Sequence, residues 1–422
     1  MQTLAFLLQK KFEKALRLAF AEHIQNAEHL LPEVVHSTLE NFGHYQCNNA
    51  LKLSKLLNEK PREIAEKIIS SLDLKTEDGN AMIAHVEIAG PGFINITLDP
   101  SFLSGQVDEM LKSPRLGIPL PSTQKKVIVE FSSPNIAKEL HVGHLRSTII
   151  GDSLARLFEF LGYDVLRLNH IGDWGTQFGM LIAYLQEKMP QILSGDERAD
   201  LPALMQWYKE SKKLFDEDPE FKKRAQLQVV KLQGGETASL EAWKMICNIS
   251  RRSFQEIYDL LDVDLIERGE SFYNPYLQDI VDDLDRRDMI TLSEGAKCIF
   301  LEGFQSREGK MLPIIIQKSD GGFNYDTTDM AALRHRIEVE KASRIIIVTD
   351  AGQSLHFQMI FKAAEKAGYL DPQKVQVDHV PFGVVLGADG KKFKTRSGDV
   401  ERLIDLLLEA IDHAKNILKQ RL

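Results

Sequence analysis

Two histidines three residues apart, His141 and His144, lie in the stretch SSPNIAKELHVGHLRS (132–147). The segment before them, KKVIVEF (125–131), is rich in β-branched residues and predicts a strand. A turn from strand to helix leaves backbone N–H groups open at the positive end of the helix dipole, so the pair predicts an anion site. The helix is indicated by apolar residues at helical spacing, at positions 145, 149, 150, 154, 157, 158 and 161.

The pattern His-x-Gly-His is weak by itself, because three fixed positions recur by chance. Two other interpretations stay open: the histidines cap a helix, or they bind a metal ion. A metal is disfavoured because no Cys, Asp or Glu accompanies the pair at ligand spacing. Gly143 allows a flat ligand to approach the backbone, and imidazole N–H groups can donate to phosphate oxygens.

A second candidate segment, GKKFKTRSG (390–398), concentrates four cations between two glycines. Taken alone, such a segment is more often a solvated basic loop. Combined with a phosphate-type turn earlier in the chain, Lys392 and Lys394 suit a loop that stabilises the charge developing on a leaving pyrophosphate.

The elements that must position these residues alternate between strand and helix from residue 125 onward. Strand 126–131, helix 144–161 and strand 164–172 predict a βαβ unit with parallel strands. The alternation predicts an α/β protein with a Rossmann-like, doubly wound parallel sheet and a helical insert, whose ligands bind beyond the carboxyl ends of the strands. Further helices are expected at 176–262, after YDTTD and near Gln353, and further strands at 297–302, 312–318 and 344–350.

The two ends of the chain differ from this pattern. Residues 1 to about 110 predict a small α+β unit, and the Pro-rich segment 112–124 predicts a linker. The tail 400–422 predicts an amphipathic helix with apolar residues at 403, 407, 411, 414 and 418. Either this helix packs on the body of the protein, or a further domain covers its apolar face.

Composition restricts the class of protein. A chain of 422 residues predicts two or more domains. The net charge of −9 argues against a purely electrostatic nucleic-acid binder. Three widely separated cysteines (Cys47, Cys247 and Cys298) favour a reducing cytoplasm over a disulfide framework or a structural zinc site. No apolar run has the length of a bilayer-spanning helix, so no membrane partner is expected.

Four long motifs resemble one family. HVGH and the lysine-bearing loop are similar to the two signatures of class I aminoacyl-tRNA synthetases. The stretches VEFSSPNIAKELHVGHLRSTIIGD, HIGDWGTQFG, FNYDTTDMAAL and VTDAGQSLHFQMIF resemble arginyl-tRNA synthetases in particular. GHYQCNNALKLSK and GPGFINITL resemble the N-terminal tRNA-binding domain of that family. The resemblance covers almost the whole chain.

The resemblance implies an arginine–tRNA ligase. Such an enzyme activates L-arginine with ATP and Mg²⁺ to arginyl-adenylate and pyrophosphate, and then transfers arginine to the 3′-terminal adenosine of tRNA(Arg). Because the protein takes little covalent part, catalysis comes from positioning and charge stabilisation. The guanidinium of arginine needs anionic and planar partners.

The resemblance also implies roles for individual residues. Taken singly, each has an ordinary structural explanation, for instance a helix first-turn carboxylate for Asp329. Together at strand ends of one sheet they predict a pocket. The catalytic set implied is His141, His144, Lys138, Lys392 and Lys394; the ATP-binding set is His141, Gly143, His144, Asp350, Gly352 and His356; and the arginine-binding set is Glu130, Asn135, His141, Tyr325, Asp329 and Gln353.

Two departures from the class pattern stand out. The second signature usually reads Lys-Met-Ser-Lys-Ser, whereas KFKTR (392–396) has Thr395 in place of the second lysine, and Lys138 is the candidate replacement. Relatives continue into a helical anticodon-binding domain, which the resemblance implies is lacking after Leu422. The expected organisation is a tRNA-binding domain (1–112), a catalytic domain (122–399) with an insert at about 185–320, and the start of a truncated helical domain (400–422).

Other interpretations stay open on the sequence. A nucleotidyltransferase can carry a His-x-Gly-His turn but lacks the arginine-pocket motifs. A non-catalytic tRNA-binding or regulatory relative need not retain His141, His144 and Lys392. The expected protein is therefore a cytoplasmic, monomeric ligase without a bound metal site, whose partners are tRNA(Arg), L-arginine and ATP.

Overall fold

Apolar residues at helical spacing in the first 70 residues bury one face of three helices against a small sheet. The computed structural model describes residues 3–24, 26–194, 199–306, 308–386 and 402–421. The chain folds into two compact units, residues 1–120 and 121–422. The first unit contains α1 (Leu4–Phe20), β1 (Val34–His36), β2 (Tyr45–Cys47), α2 (Asn49–Leu57), α3 (Pro61–Ser70), β3 (Ile83–Ala89), β4 (Phe93–Leu98) and α4 (Pro100–Leu111).

The four strands of the first unit form an antiparallel sheet in the order β1-β2-β4-β3. β3 and β4 form a hairpin, and Pro91 and Gly92 lie in its turn. Leu8 and Phe12 of α1, Leu53 of α2 and Ile64 of α3 are fully buried in one core. The predicted α+β architecture is confirmed.

The second unit begins with a strand at residue 126 and alternates strands with helices, as the sequence predicts. Its strands are β5 (Lys126–Glu130), β6 (Asp164–Asn169), β7 (Ile266–Glu267), β8 (Thr291–Ser293), β9 (Ala296–Gln305), β10 (Met311–Gln317), β11 (Ala342–Asp350) and β12 (Gln376–Phe382). Its helices are α5 (Val142–Phe160), α6 (Thr176–Lys188), α7 (Pro190–Leu193), α8 (Leu201–Glu217), α9 (Pro219–Gln233), α10 (Thr237–Leu261), α11 (Asn274–Arg286), α12 (Tyr325–Glu338), α13 (Ser354–Lys366) and α14 (Leu403–Arg421).

Five strands of this unit form a parallel sheet in the order β12-β11-β5-β6-β7. Successive residues of β5 enter the cores on opposite faces of the sheet: Ile128 packs with α11, α12 and α13, whereas Val127 and Val129 pack against α5. A parallel sheet covered on both faces reads as a nearly continuous apolar run, as β5 does. The Rossmann-like doubly wound fold is confirmed.

The insert has two parts. Helices α6 to α10 pack around a core that includes Phe178, Leu204 and Ile246, and Leu403 of α14 joins this core. The strands predicted near 297–302 and 312–318 are present as β9 and β10. They form a separate antiparallel sheet with β8 rather than extending the parallel one.

The apolar stripe predicted for α5 is confirmed in part: Leu145, Ile150, Leu154 and Phe158 are partly buried and pack against the cores, but they are not its most buried residues. Ile149 and Leu157 are 43% and 51% exposed. The helix instead turns its small residues to the sheet, because the distance to β5 is short: a Cβ placed on Gly151 would lie 2.2 Å from the Phe131 side chain. The buried residues of α5 are Ser147, Thr148, Gly151, Asp152 and Ala155.

Candidate active site

The candidate site lies at the carboxyl edge of the parallel sheet, where ligands bind in folds of this type. Because the strands are parallel, the residues that end them meet at this edge. Glu130 ends β5 and lies opposite Ile347 of β11 and Leu168 of β6. Asp350 ends β11.

The segment between β5 and α5 adopts a strained backbone. Ser132, Ser133 and Ala137 have positive φ values of 68°, 49° and 60° without being glycines. Such conformations persist only when neighbours hold them in place. The Ser147 hydroxyl accepts a hydrogen bond from the Ser132 N–H at 3.0 Å and donates to the Val348 carbonyl at 2.6 Å. One buried hydroxyl thus connects α5 to the ends of β5 and β11.

The two histidines cap the start of α5. Nδ1 of His141 accepts the Gly143 N–H at 3.0 Å, and Nδ1 of His144 accepts the His141 N–H at 3.1 Å. Burial, with the nearby charges of His141 and Lys138, lowers the pKa of His144 to about 3, so this ring is neutral. A neutral ring that accepts at Nδ1 carries its proton on Nε2. The backbone N–H groups expected to be open for an anion are not: Gly143 donates to the His141 ring, and His144 and Leu145 donate to the His141 carbonyl. Capping instead assigns the ring Nε2–H as the donor that suits an anion.

Two glycines keep the backbone of this edge close to neighbouring side chains. A Cβ on Gly143 would lie 2.8 Å from Cε1 of His141, so a larger residue would displace the imidazole. A Cβ on Gly172 would lie 2.1 Å from Oδ1 of Asn135. Asn135 is also bridged to Gly172 through the backbone, and it is exposed at the edge. Both glycines are therefore needed for close approach.

A group of carboxylates and imidazoles faces this edge from the start of α12. Nε2 of His356 lies 2.6 Å from Oδ2 of Asp329, and its Nδ1 lies 3.3 Å from Oδ1 of Asp326. Burial alone would lower the pKa of His356, but the hydrogen bonds to Asp326 and Asp329 outweigh it and raise that pKa to about 9. His170 reaches within 4.0 Å of the other Asp329 oxygen, and Tyr325 packs edge-on against His356.

Glu270 is a further acidic residue here, and sequence reasoning missed it. It follows β7 in a short 3-10 helix, and its N–H bonds to the Ile171 carbonyl at 3.0 Å. Burial, and then the charges of Asp329 and Asp173, raise the pKa of Glu270 to about 8. Its position after a two-residue strand gives no local sequence signal.

Glu130 is occupied within the protein. Its Oε2 lies 2.5 Å from Nη1 of Arg336 on α12, and the two side chains are only 7% and 3% exposed. One oxygen of this carboxylate, which was predicted to bind the substrate arginine, is therefore already paired with an arginine of the same chain.

The remaining predicted residues lie on three segments. Lys138 is exposed in the turn before His141. Asp350 accepts the Gly352 N–H at 2.8 Å, capping a short 3-10 helix that presents the exposed Gln353. Lys392 and Lys394 lie outside the described residues.

The site thus has two chemically distinct sides. The imidazole Nε2–H groups on the α5 side suit phosphate oxygens. Carboxylates on the α12 side suit a guanidinium.

Within the described residues no group of three or more His, Cys, Asp or Glu side chains is arranged to hold a metal ion. In the same residues no helix is both long and apolar enough to cross a membrane.

Comparison with known proteins gives the class. A family model described as "tRNA synthetases class I (R), catalytic domain" matches residues 106–421, and "Arginyl tRNA synthetase N terminal domain" matches residues 7–98. The fold and the histidine turn, with these matches, define a class I aminoacyl-tRNA synthetase.

Individual relatives narrow the class to one family. An arginine–tRNA ligase of Protochlamydia amoebophila is 59% identical over 421 residues, covering 100% of this chain and 71% of the relative. One of Synechococcus elongatus is 54% identical, covering 98% and 70%. The chain belongs to the arginyl-tRNA synthetase family and has the activity of an arginine–tRNA ligase. It spans about 70% of the length of these relatives.

Solved structures agree with this assignment. The arginyl-tRNA synthetase of Plasmodium falciparum has a TM-score of 0.83 at 34% identity, covering 100% of this chain and 70% of that one. The arginyl-tRNA synthetase of Thermus thermophilus has a TM-score of 0.72 at 21% identity, covering 99% and 71%. The second likeness supports the fold alone.

Proposed function

We propose that the carboxyl edge of the parallel sheet performs both steps of arginine–tRNA ligation, with ATP on the α5 side and arginine on the α12 side. The observation that carries this assignment is the meeting, at one sheet edge, of imidazole donors at a helix start with an acidic group around Asp329.

On the arginine side, the guanidinium lies against Asp329, with Tyr325 beside it. The charge of Asp326, with burial and the charge of Asp329, raises the pKa of Tyr325, which keeps its hydroxyl protonated. Glu270 supplies a second carboxylate, and Glu130 lies beneath the bound guanidinium. Asn135, Gln353 and His141 complete the arginine site by holding the ammonium and carboxylate ends.

On the ATP side, His141 and His144 donate from Nε2 to the phosphates, and Gly143 lies under the adenine. Asp350 and Gly352 bind the nucleoside. ATP enters as its Mg²⁺ complex.

Lys138 supplies the cation that Thr395 cannot, and Lys392 and Lys394 neutralise the pyrophosphate. We assign His356, predicted to bind ATP, to holding Asp329, because both of its ring nitrogens face carboxylates.

The chemistry follows from this placement. A carboxylate oxygen of arginine attacks the α-phosphorus of ATP, the bond to the bridging oxygen breaks, and pyrophosphate leaves with the negative charge. A terminal ribose hydroxyl of tRNA(Arg) then attacks the adenylate carbonyl, releasing AMP and the hydroxyl proton. No protein nucleophile is required, so donors aimed at the developing charge carry the rate enhancement.

The test is tRNA-dependent ATP–pyrophosphate exchange with Asp329→Asn. The KM for arginine should rise at least about thirtyfold, because the guanidinium loses its charged partner. The KM for ATP should stay within about threefold. The control is Glu338→Gln, which removes an exposed carboxylate from the same helix. An unchanged KM for arginine in Asp329→Asn would reject the assignment.

We further propose that the protein acts as a cytoplasmic monomer. The three cysteines are buried and unpaired, which fits a reducing compartment. Analytical ultracentrifugation at micromolar concentration should give the mass of one chain; a stable dimer would contradict this proposal.

A further inference from the structure

The ion pair between Glu130 and Arg336 lies in the core rather than at the surface. Glu130 points to the face of the sheet that also carries Ile128, and Arg336 reaches it from α12. Arg336 is 2% exposed and Glu130 is 5% exposed. Burial alone would lower the pKa of Arg336, but the carboxylate of Glu130 outweighs it and raises that pKa, so the guanidinium stays charged.

This ion pair leaves hydrogen-bonding groups of Arg336 unsatisfied in the core. Nε and Nη2 of Arg336 have no hydrogen-bond partner of normal length and angle among the described residues. The buried Tyr273 lies near enough to interact with the guanidinium electrostatically. Buried ion pairs of this kind are often no more stabilising than apolar residues of the same volume. Stability alone therefore gives no reason for Arg336.

The position of Arg336 relative to Asp329 gives another reason. The two residues are seven apart on α12, so they lie on one face of the helix, about 10 Å apart along its axis. The charge of Asp329 acts on Arg336 at this separation. The pair of Arg336 and Glu130 therefore lies two helical turns from Asp329, on the same face of α12.

We propose that Arg336 is a positioning residue for arginine selection. It holds the Glu130 carboxylate and neutralises its charge, so that the negative charge available to a substrate is that of the group around Asp329. The proposal rests on the assignment of arginine to Asp329. Without Arg336, Glu130 becomes an uncompensated carboxylate that attracts any cation, including lysine, which lacks the planar fork of arginine.

The experiment measures exchange with arginine and with lysine for Arg336→Met, Arg336→Lys, Glu130→Gln and the double variant Glu130→Gln/Arg336→Met. The ratio of kcat/KM for arginine to that for lysine should fall at least about tenfold in Arg336→Met. Arg336→Lys should retain most of this ratio, since it keeps the charge. The KM for ATP should change less than about twofold in all variants.

The double variant decides the mechanism. If Arg336 acts only through Glu130, the double variant should match Glu130→Gln, because no carboxylate remains to be cancelled. Independent, additive losses would overturn the proposal, as would an unchanged ratio in Arg336→Met. If Arg336→Met fails to fold by circular dichroism, the comparison of the double variant with Glu130→Gln still tests the proposal.

Failure of the site assignment gives a different result. Asp329→Asn would then bind arginine as the wild type does, whatever the behaviour of Arg336. Glu338→Gln is the common control, because it removes a carboxylate from α12 outside the site.

Discussion

At the scale of residues, the protonated imidazole of His356 lies between the carboxylates of Asp326 and Asp329. Its pKa of about 9 in the folded protein lies above the ordinary value of about 6.5. The stabilisation it gives is therefore complete below about pH 6.5 and is lost as pH rises through about 9.

His356→Gln tests this pH dependence. The difference in free energy of unfolding between wild type and variant should shrink by about 1–3 kcal/mol from pH 6.5 to pH 9. Urea unfolding at both pH values measures it. His413→Gln, an exposed position on α14, is the control and should show no such change. A constant difference for His356→Gln would contradict the interpretation.

Glu270 gives a second prediction. Its pKa of about 8 means that it is protonated at neutral pH in the absence of ligand. A bound guanidinium favours the carboxylate, so arginine binding should release up to about one proton and tighten up to about tenfold per unit between pH 6 and pH 8. Calorimetry in buffers of different ionisation enthalpy measures the release. Glu270→Gln should abolish it; proton release that persists in this variant would assign it to another group.

The residues indicated by their own local pattern were those whose partners are local, whereas Glu130 and Asp329 came from the resemblance. His141 and His144 cap one helix start, and their place between a predicted strand and a predicted helix indicated donors at a turn. Glu270 and Arg336 act on Asp329 and Glu130, which are distant in the chain. No window of sequence holds both members of either pair, so only the fold shows them.

At the scale of elements, the contact of α5 with β5 determines where the histidines point. Small residues make the closest part of this contact, and the apolar Ile150, Leu154 and Phe158 flank it. Periodicity predicted the helix and its flanking apolar residues but not the buried small ones, because it cannot detect how close two backbones come. The same limit applies to β9 and β10, whose strand segments were foreseen, whereas β8 and the separate antiparallel sheet of the three strands were not.

Gly151→Ala tests this contact. The added Cβ meets the Phe131 side chain, so unfolding should become easier by about 1–3 kcal/mol. Gly105→Ala in α4 is the matched control, since nothing lies within 4 Å of its added Cβ. That change should stabilise the protein by about 0.5–1 kcal/mol. Thermal and urea unfolding measure both; equal effects would contradict the argument.

At the scale of the whole molecule, each unit has a core of its own. Leu53 is fully buried in the core of the first unit, and Ile280 is 1% exposed in one of the cores of the second. This division predicts separate unfolding. The linker prediction at 112–124 was possible because prolines and glycine mark it locally.

Hydrogen exchange on the full chain tests this division. Leu53→Ala should lower protection of amides in residues 3–24 and 26–120 by about 2–5 kcal/mol, the cost of a core cavity. Amides of the second unit should keep their wild-type protection. Ile280→Ala should give the reverse pattern. Loss of protection in both units from either substitution would show that they unfold together.

The order of strands in the sheet also has a consequence during synthesis. Glu130 of β5 pairs with Ile347 of β11, which lies 217 positions later in the chain (347 − 130). At roughly 5–20 residues per second, β5 leaves the ribosome roughly 10–45 s before its second neighbour exists. For that interval one edge of β5 is open on the nascent chain, and the carboxyl edge of the sheet cannot be completed. Folding of this enzyme is therefore paced by translation, and the nascent chain is a predicted client for chaperones.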